Sequence, residues 1–348
     1  MRERFTIKFA IILILTLSMA KFALTDDKAY FHSGLIFEPR SAGFDSCHSA
    51  TLVELPGGDI LAAWYGGTAE KAKDVAIYAA RLKKGETKWS KPWIIHDTPD
   101  KSEGNPVLWL APDKTLWLFF TTIMMEHWDD ARMFYRKSYD EGKTWTEQVT
   151  LIEDLGWMPR FKPLLLTNGD ILLPIYDEML YRSHFYISTD GGKKWKKSVQ
   201  IITPGGAIQP SVVQLSDGSL LTVMRSGSKN GLAWWATSKD NGRHWSKPFT
   251  NILKNPGSGS DMVKLANGHL AIVFNDSPER RNPISAAIST DEGKTWNYKR
   301  VIEKDDFGEY SYPSVIATSD GLIHAVYTWR RESIGYAVFN EKWVLEGE

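Results

Sequence analysis

The chain is poor in cysteine and carries no excess of charge. It holds a single thiol, Cys47, among 348 residues. A disulfide scaffold is therefore excluded, and the fold must stand on its apolar core. The expectation for Cys47 itself is a buried, inert thiol. Basic and acidic side chains number 42 each, so nothing favours nucleic acid or an anionic membrane surface as a partner. Helical periodicity is absent, as are Gly-rich phosphate loops and His-x-x-x-His pairs; no cofactor and no metal is called for. After the N-terminus no apolar run approaches the roughly 20 residues of a membrane span.

The N-terminus carries the one long apolar run. Arg2, Arg4 and Lys8 precede "FAIILILTLSMA", and Ser18 and Ala20 supply small residues for cleavage after Ala20. The pattern predicts a signal peptide over residues 1–20, a lead-in over 21–33 and one domain over 34–348. It implies a secreted or periplasmic protein with no stable membrane association after cleavage; an uncleaved anchor is the alternative.

Aromatic residues are abundant, with 15 Trp, 13 Tyr and 15 Phe. They accompany a repeat. "SYDEGKTW", "STDGGKKW", "SKDNGRHW" and "STDEGKTW" begin at Ser138, Ser188, Ser238 and Ser289, in steps of 50, 50 and 51. Six tight-turn sequences, such as "LTNGDIL" and "LSDGSLL", recur out of phase near residues 58, 114, 169, 218, 268 and 321. Asn-Gly and Asp-Gly between apolar runs are strong hairpin signals. Four short strands per repeat describe the blade of a β-propeller. About 320 residues at about 50 per unit give six blades. The eight-residue motif is read as a turn clip: Ser and Asp bond backbone N–H groups, Gly takes positive φ, and Trp packs back between strands. Four copies of one chemistry around a ring are architecture, and Asp190 is no catalytic acid.

Aligning the repeats on their turns predicts two rings of residues at the channel mouth. One holds Ser49, Asn105, Arg160, Gln209, Gly259 and Tyr312; the other holds Tyr65, Thr121, Tyr176, Arg225, Asn275 and Thr328. So many polar and aromatic side chains suit a pocket for a small anionic or hydroxylated ligand.

Four such turns in a six-blade pattern closely resemble the Asp-box repeats of the sialidase superfamily, over about Gly34 to Trp343. "HSATLVELPGGDILAAWYGG" resembles that family's first blade. The resemblance implies an all-β, six-bladed β-propeller and a carbohydrate partner. Sialidases hold the sialic acid carboxylate with three arginines, attack with a Tyr paired to a Glu, and use an Asp acid/base in a first-blade loop. By the resemblance Arg225 matches the second arginine and Arg281, or Arg280, the third. Tyr312 in "EYSYPSVI" matches the nucleophile. His48 replaces the first arginine, and Gln209 stands where the glutamate belongs; an amide cannot serve as a base. Glu70, with Asp74 as the alternative, falls where the acid/base is expected.

These matches and departures imply an exo-acting glycoside hydrolase on a sialic or uronic acid. Tyr312, His48, Glu70 and Gln209 are the expected catalytic group, with His48 a candidate acid/base partner for a tyrosine. Arg225, Arg281, Asn105, Arg160, Tyr65, Tyr176 and Asp261 are the expected substrate contacts. A uronate lyase using His48 or Tyr312 as base, and a silent carbohydrate-binding propeller, stay open as alternatives. Secondary candidates are His127 and His184 at the rim, and Asp177 or Glu178 as a mouth carboxylate. Arg330 or Arg331 could stand in for the missing arginine, and the loop from Asn255 to Asp261 could form a flexible cover.

Overall fold

The computed structural model describes residues 28–228 and 230–347; the expected signal peptide lies outside them. Within them the chain forms six antiparallel sheets. The first blade shows the plan: strands Ser46–Glu54, Ile60–Gly67, Ala76–Leu82 and Trp93–His96 lie side by side in chain order. In the third blade the inner strand is split, Trp157–Pro159 and Leu164–Leu165 both pairing with Ile171–Asp177. In the last blade the chain supplies Tyr310–Ala317, Ile323–Trp329 and Ser333–Phe339, and the outermost strand is Phe31–Leu35 from the other end of the chain. Phe31 faces Phe339 and Leu35 faces Gly335, so the ring closes by pairing the two ends of the chain. That strand begins inside the stretch read as lead-in.

The core lies between neighbouring sheets. Leu61, Ala63 and Ile77 of the first blade pack on Leu108, Leu118 and Phe120 of the second. Trp235 and Trp296, both fully buried, lie 5.9 Å apart between the fourth and fifth blades. The repeated turn clip sits at these seams. In its second copy the Ser188 hydroxyl donates to Asp190 Oδ1 (2.8 Å) and accepts from Gly192 N–H (2.8 Å), while Asp190 Oδ1 also accepts from Lys194 N–H (2.9 Å). Glycine is demanded twice over in the last copy. Gly293 has φ +85°, and a Cβ there would come within 2.5 Å of Leu221 on the preceding blade. The motif therefore sets both a turn and a blade-to-blade spacing.

The inner strands carry the feature that builds the site. Register shifts occur between His48 and Thr51, Gly104 and Val107, Ile208 and Ser211, and Ser311 and Ser314. Inside each bulge one residue is left-handed: Ser49 (φ 60°), Asn105 (44°), Gln209 (56°) and Tyr312 (53°). Three of them precede prolines, Pro106, Pro210 and Pro313, which cannot donate to a ladder and fit an edge strand only at such breaks. A bulge re-aims its side chain. Left-handed φ at a non-glycine residue costs on the order of 1–3 kcal/mol and clusters at functional sites.

Candidate active site

At the channel mouth the bulges and the second strands surround a cavity of about 220 Å³, lined by His48, Tyr65, Glu70, Asn105, Trp128, Met158, Tyr176, Glu178, Gln209, Arg225, Arg281, Tyr312 and Arg331. A cavity this small suits one sugar ring better than an oligosaccharide.

Tyr312 is its centre. The phenol oxygen accepts from Arg225 Nη1 at 2.5 Å and from Gln209 Nε2 at 3.1 Å. The Arg281 guanidinium lies 5.3 Å from the ring. Burial alone would push the phenol up, but Arg225, Arg281 and the amide of Gln209 outweigh it and hold Tyr312 below the usual tyrosine range. Gln209 cannot take the phenol's proton; as a donor it favours the phenolate instead. The His48 ring packs tilted against Tyr312, centroids 4.2 Å apart, and its Nδ1 shares a 2.7 Å hydrogen bond with Thr328 Oγ1. Burial first, then Arg331, Arg281, Arg160 and Arg225, hold His48 well below the usual histidine range. It is a neutral imidazole at pH 7. Hydrogen bonds continue round the channel from Thr328 through Ser49 (3.2 Å), from Ser49 to Asn105 (2.9 Å) and from Asn105 to Tyr176 (2.8 Å).

The Gln209 amide gives a direct test. Gln209→Glu would set a carboxylate beside the Tyr312 oxygen and compete for Arg225. The tyrosinate absorbance assigned to Tyr312 is then expected to emerge at higher pH than in the unaltered protein. An unmoved titration would contradict the proposed role of the amide.

Charge around the mouth is carried by three arginines in unequal settings. Arg281 pairs with Glu309 at 3.1 Å and donates to Gly257 O. Arg331 bonds Glu309 at 3.2 Å and also pairs with Glu70. For Arg225, among the described residues, no carboxylate lies within ion-pair distance. Arg330 and Arg331 form a left-handed turn, φ 53° and 60°, that sends the two side chains apart. Arg331 enters the pocket, whereas Arg330 pairs with Asp305 outside it.

Two expected substrate contacts are corrected. Arg160 lies beneath the floor, fully buried, donating to the carbonyls of Ala50 (3.1 Å), Tyr312 (2.5 Å) and Pro313 (3.2 Å). The third blade has no bulge at this position, so the side chain is not turned up into the mouth. Asp261 is also fully buried: it pairs with Lys162 at 2.8 Å and accepts from Ser211 Oγ (2.7 Å) and Val315 N–H (2.8 Å). It ties the fourth, fifth and sixth blades together. The loop from Asn255 is packed rather than a loose cover, with Asn255 donating to Ser258 O and accepting from Gly257 N–H. Asp261→Asn is accordingly expected to cost about 1.5–3 kcal/mol of stability, read as a lower denaturant midpoint at unchanged m-value; an unchanged midpoint would contradict this structural role.

Other candidates also fall outside the cavity. Asp74 accepts from Thr68, Arg280 donates to Asp306 O, and His127 caps a short 3₁₀ turn in an exposed loop. His184 packs edge-on to Trp157, with burial lowering its pKa to about 4. Cys47 is buried, and burial pushes its thiol far up. Sequence reasoning missed Trp128, Met158 and Glu309. Trp128 donates to Glu70 Oε1 at 3.1 Å, and its ring lies so close to Gly104 that a Cβ there would meet it at 2.4 Å. Glu309, three residues before Tyr312, offered a signal only by that proximity. Among the described residues no cluster of His, Cys, Asp or Glu could hold a metal ion. Nor is any helix among them long and apolar enough to cross a membrane.

Comparison with known proteins bears on the fold. The model of the BNR repeat-like domain matches residues 58–325. The anhydrosialidase of Macrobdella decora is 25% identical over 262 residues, covering 64% of this chain and 33% of that protein. A sialidase of Bacteroides fragilis (strain YCH46) is 23% identical over 268 residues, covering 71% and 48%. The chain thus spans between a third and a half of the length of these relatives. Among solved structures, Hadza microbial sialidase Hz136 superposes with a TM-score of 0.76 at 17% identity, over 90% of this chain and 69% of that one. With six blades, four turn clips and a family model that matches most of its length, this chain belongs to the BNR repeat-like family, within the sialidase-like propeller superfamily.

Proposed function

We propose that the protein is a secreted, exo-acting glycoside hydrolase that removes a terminal carboxylate-bearing sugar, a sialic or uronic acid, from a glycan. The observation that carries this reading is the Tyr312 phenol, held by Arg225 and Gln209 at the floor of a one-sugar cavity. Among the described residues Arg225 has no carboxylate within ion-pair distance, its Nη1 donating to Tyr312 instead, and arginine suits planar, bidentate carboxylate recognition. With Arg281 beside it, a sugar carboxylate is held against Tyr312, whose lowered pKa favours the phenolate. The phenolate attacks the anomeric carbon, or stabilises the positive charge that develops there, as the aglycone leaves. The small cavity supports action at a chain end, and the curated relatives named as sialidases support an acidic sugar.

Elimination from a uronate is the second reading, favoured by one observation: neutral His48 packed against Tyr312 offers a base beside a guanidinium that could neutralise the uronate carboxylate. One assay separates the two. The purified protein is incubated with sialosides and with uronate-terminated oligosaccharides, and free acidic sugar and near-ultraviolet absorbance are followed together. Release without new absorbance is the expected result. An absorbing unsaturated product would establish the lyase, and binding without either signal would establish a carbohydrate-binding propeller.

A further inference from the structure

Two carboxylates line the cavity, and their surroundings differ. Glu70, where the resemblance puts the acid/base, has both oxygens engaged: Oε1 accepts from Trp128 Nε1 and Oε2 from Arg331. Arg331 is itself fixed by Glu309, which Arg281 and the Ser311 hydroxyl also hold. Each oxygen of Glu70 thus holds a donor in place, Trp128 on one side and Arg331 on the other. Glu178 is the opposite case. Among the described residues its side chain has no ion-pair or hydrogen-bond partner, yet it lines the same cavity.

Its backbone, by contrast, is held firmly. Glu178 N–H donates to Gly156 O at 2.9 Å, and Asp177 Oδ1 accepts from Met179 N–H (2.9 Å) and Leu180 N–H (3.1 Å). A Cβ on Gly156 would meet Met179 at 3.0 Å, so the neighbouring loop presses on this turn. An unpartnered carboxyl on a fixed turn at the cavity wall is suited to proton transfer.

We infer that Glu178, from the third blade, is the general acid of the proposed hydrolysis, and that Glu70 is a positioning residue that holds Arg331. This rests on the hydrolase reading above. In the first step the Glu178 O–H proton passes to the glycosidic oxygen as the bond from that oxygen to the anomeric carbon breaks, and the Tyr312 phenolate oxygen bonds to that carbon. In the second, water attacks the same carbon, its proton goes to the Glu178 carboxylate, and Tyr312 leaves as phenolate. The sum is one water consumed and one glycosidic bond cleaved.

The electrostatics agree. Burial pushes Glu178 up from the ordinary glutamate range; Arg225 opposes this, and Asp129 of the second-blade loop and the adjacent Asp177 add to it. Tyr176 and Tyr181 are the other titratable groups that sense it. Two carboxyls in one site, one engaged by Trp128 and Arg331 and one unpartnered among the described residues, is an arrangement that can divide charge-holding from acid roles.

The test compares Glu178→Gln with Glu70→Gln on two substrates, one with a sugar alcohol as leaving group and one with an activated aryl leaving group that needs no proton. Read in kcat/KM, which reports the first step, Glu178→Gln is expected to lose at least about 10²-fold on the first and little on the second, with the high-pH limb of the profile abolished; its loss as base in the second step lowers kcat on both. Glu70→Gln is expected to lose on both alike. The reverse pattern would overturn the assignment. A second readout needs no turnover: carboxyl carbon NMR of the glutamates, with the Glu178 signal identified by its loss in Glu178→Gln. A midpoint above the ordinary glutamate range is expected, and an ordinary or lower one overturns the assignment even if no substrate is found. Failure of every glycoside with a raised Glu178 midpoint would instead count against the hydrolase reading alone.

Discussion

Tyr312→Phe lowers kcat/KM for release of the acidic sugar by on the order of 10³-fold or more. The substitution removes one oxygen, and that oxygen is the atom on which Arg225 and Gln209 converge. The ring, its left-handed backbone and its contact with His48 persist, so sugar binding is expected to survive while turnover does not. The cost to the fold is small but real. Arg225 and Gln209 lose an acceptor inside the cavity, worth about 1–3 kcal/mol where no water replaces it. Kinetics and calorimetry of sugar binding on one preparation separate the effects. Retained affinity with lost kcat is the expected pattern, and retained kcat would remove Tyr312 from the chemistry.

Arg225→Met follows from the same contact seen from the other side. It takes away the pocket guanidinium that, among the described residues, has no carboxylate partner, and the strongest influence holding the Tyr312 phenol down. Truncating one partner of a desolvated charged pair costs about 2–5 kcal/mol, roughly 30- to 4,000-fold in kcat/KM. Two measurements should move together. Affinity for the acidic sugar falls, because its carboxylate loses its partner. Tyrosinate absorbance of Tyr312 emerges at higher pH, because the phenolate loses its nearest cation. A fall in affinity with an unmoved tyrosine titration would mean that Arg225 binds substrate without activating Tyr312.

How much of this was legible in the sequence follows from what the repeat controls. The 50-residue period fixed the blade count and the phase of each inner strand. The same period places Gln209, Tyr312, Asn105 and Ser49 on one ring, and all four sit in equivalent bulges. Arg160 occupies the same index but lies in the blade whose inner strand is split instead of bulged. The alignment saw its position along the chain and not the direction of its side chain. Asp261 misled for a related reason: a carboxylate in a Gly- and Ser-rich stretch reads as exposed until Lys162, Ser211 and Val315 are found around it.

The network of Glu70, Arg331, Glu309 and Arg281 was less accessible still. It joins a first-blade loop to loops of the fifth and last blades, and each member is an ordinary charged loop residue until the ring closes. The separation of Glu70 from Arg331 is 261 residues, and no local pattern reports a contact of that range. Nor could sequence tell which of two glutamates is engaged and which is free. Both stand in loops after second strands, and only their partners differ.

The central claim is that Tyr312 reacts at the anomeric carbon of an acidic sugar. The most direct measurement uses a glycosyl fluoride carrying the sugar's carboxylate and a second fluorine beside the anomeric carbon, which slows breakdown of a covalent intermediate. Mass spectrometry of the intact protein followed by peptide mapping locates any adduct. The account predicts one glycosyl group per chain, on Tyr312, absent in Tyr312→Phe. Turnover of the parent sugar with no adduct, or an adduct on Glu178 or Glu70, would contradict it.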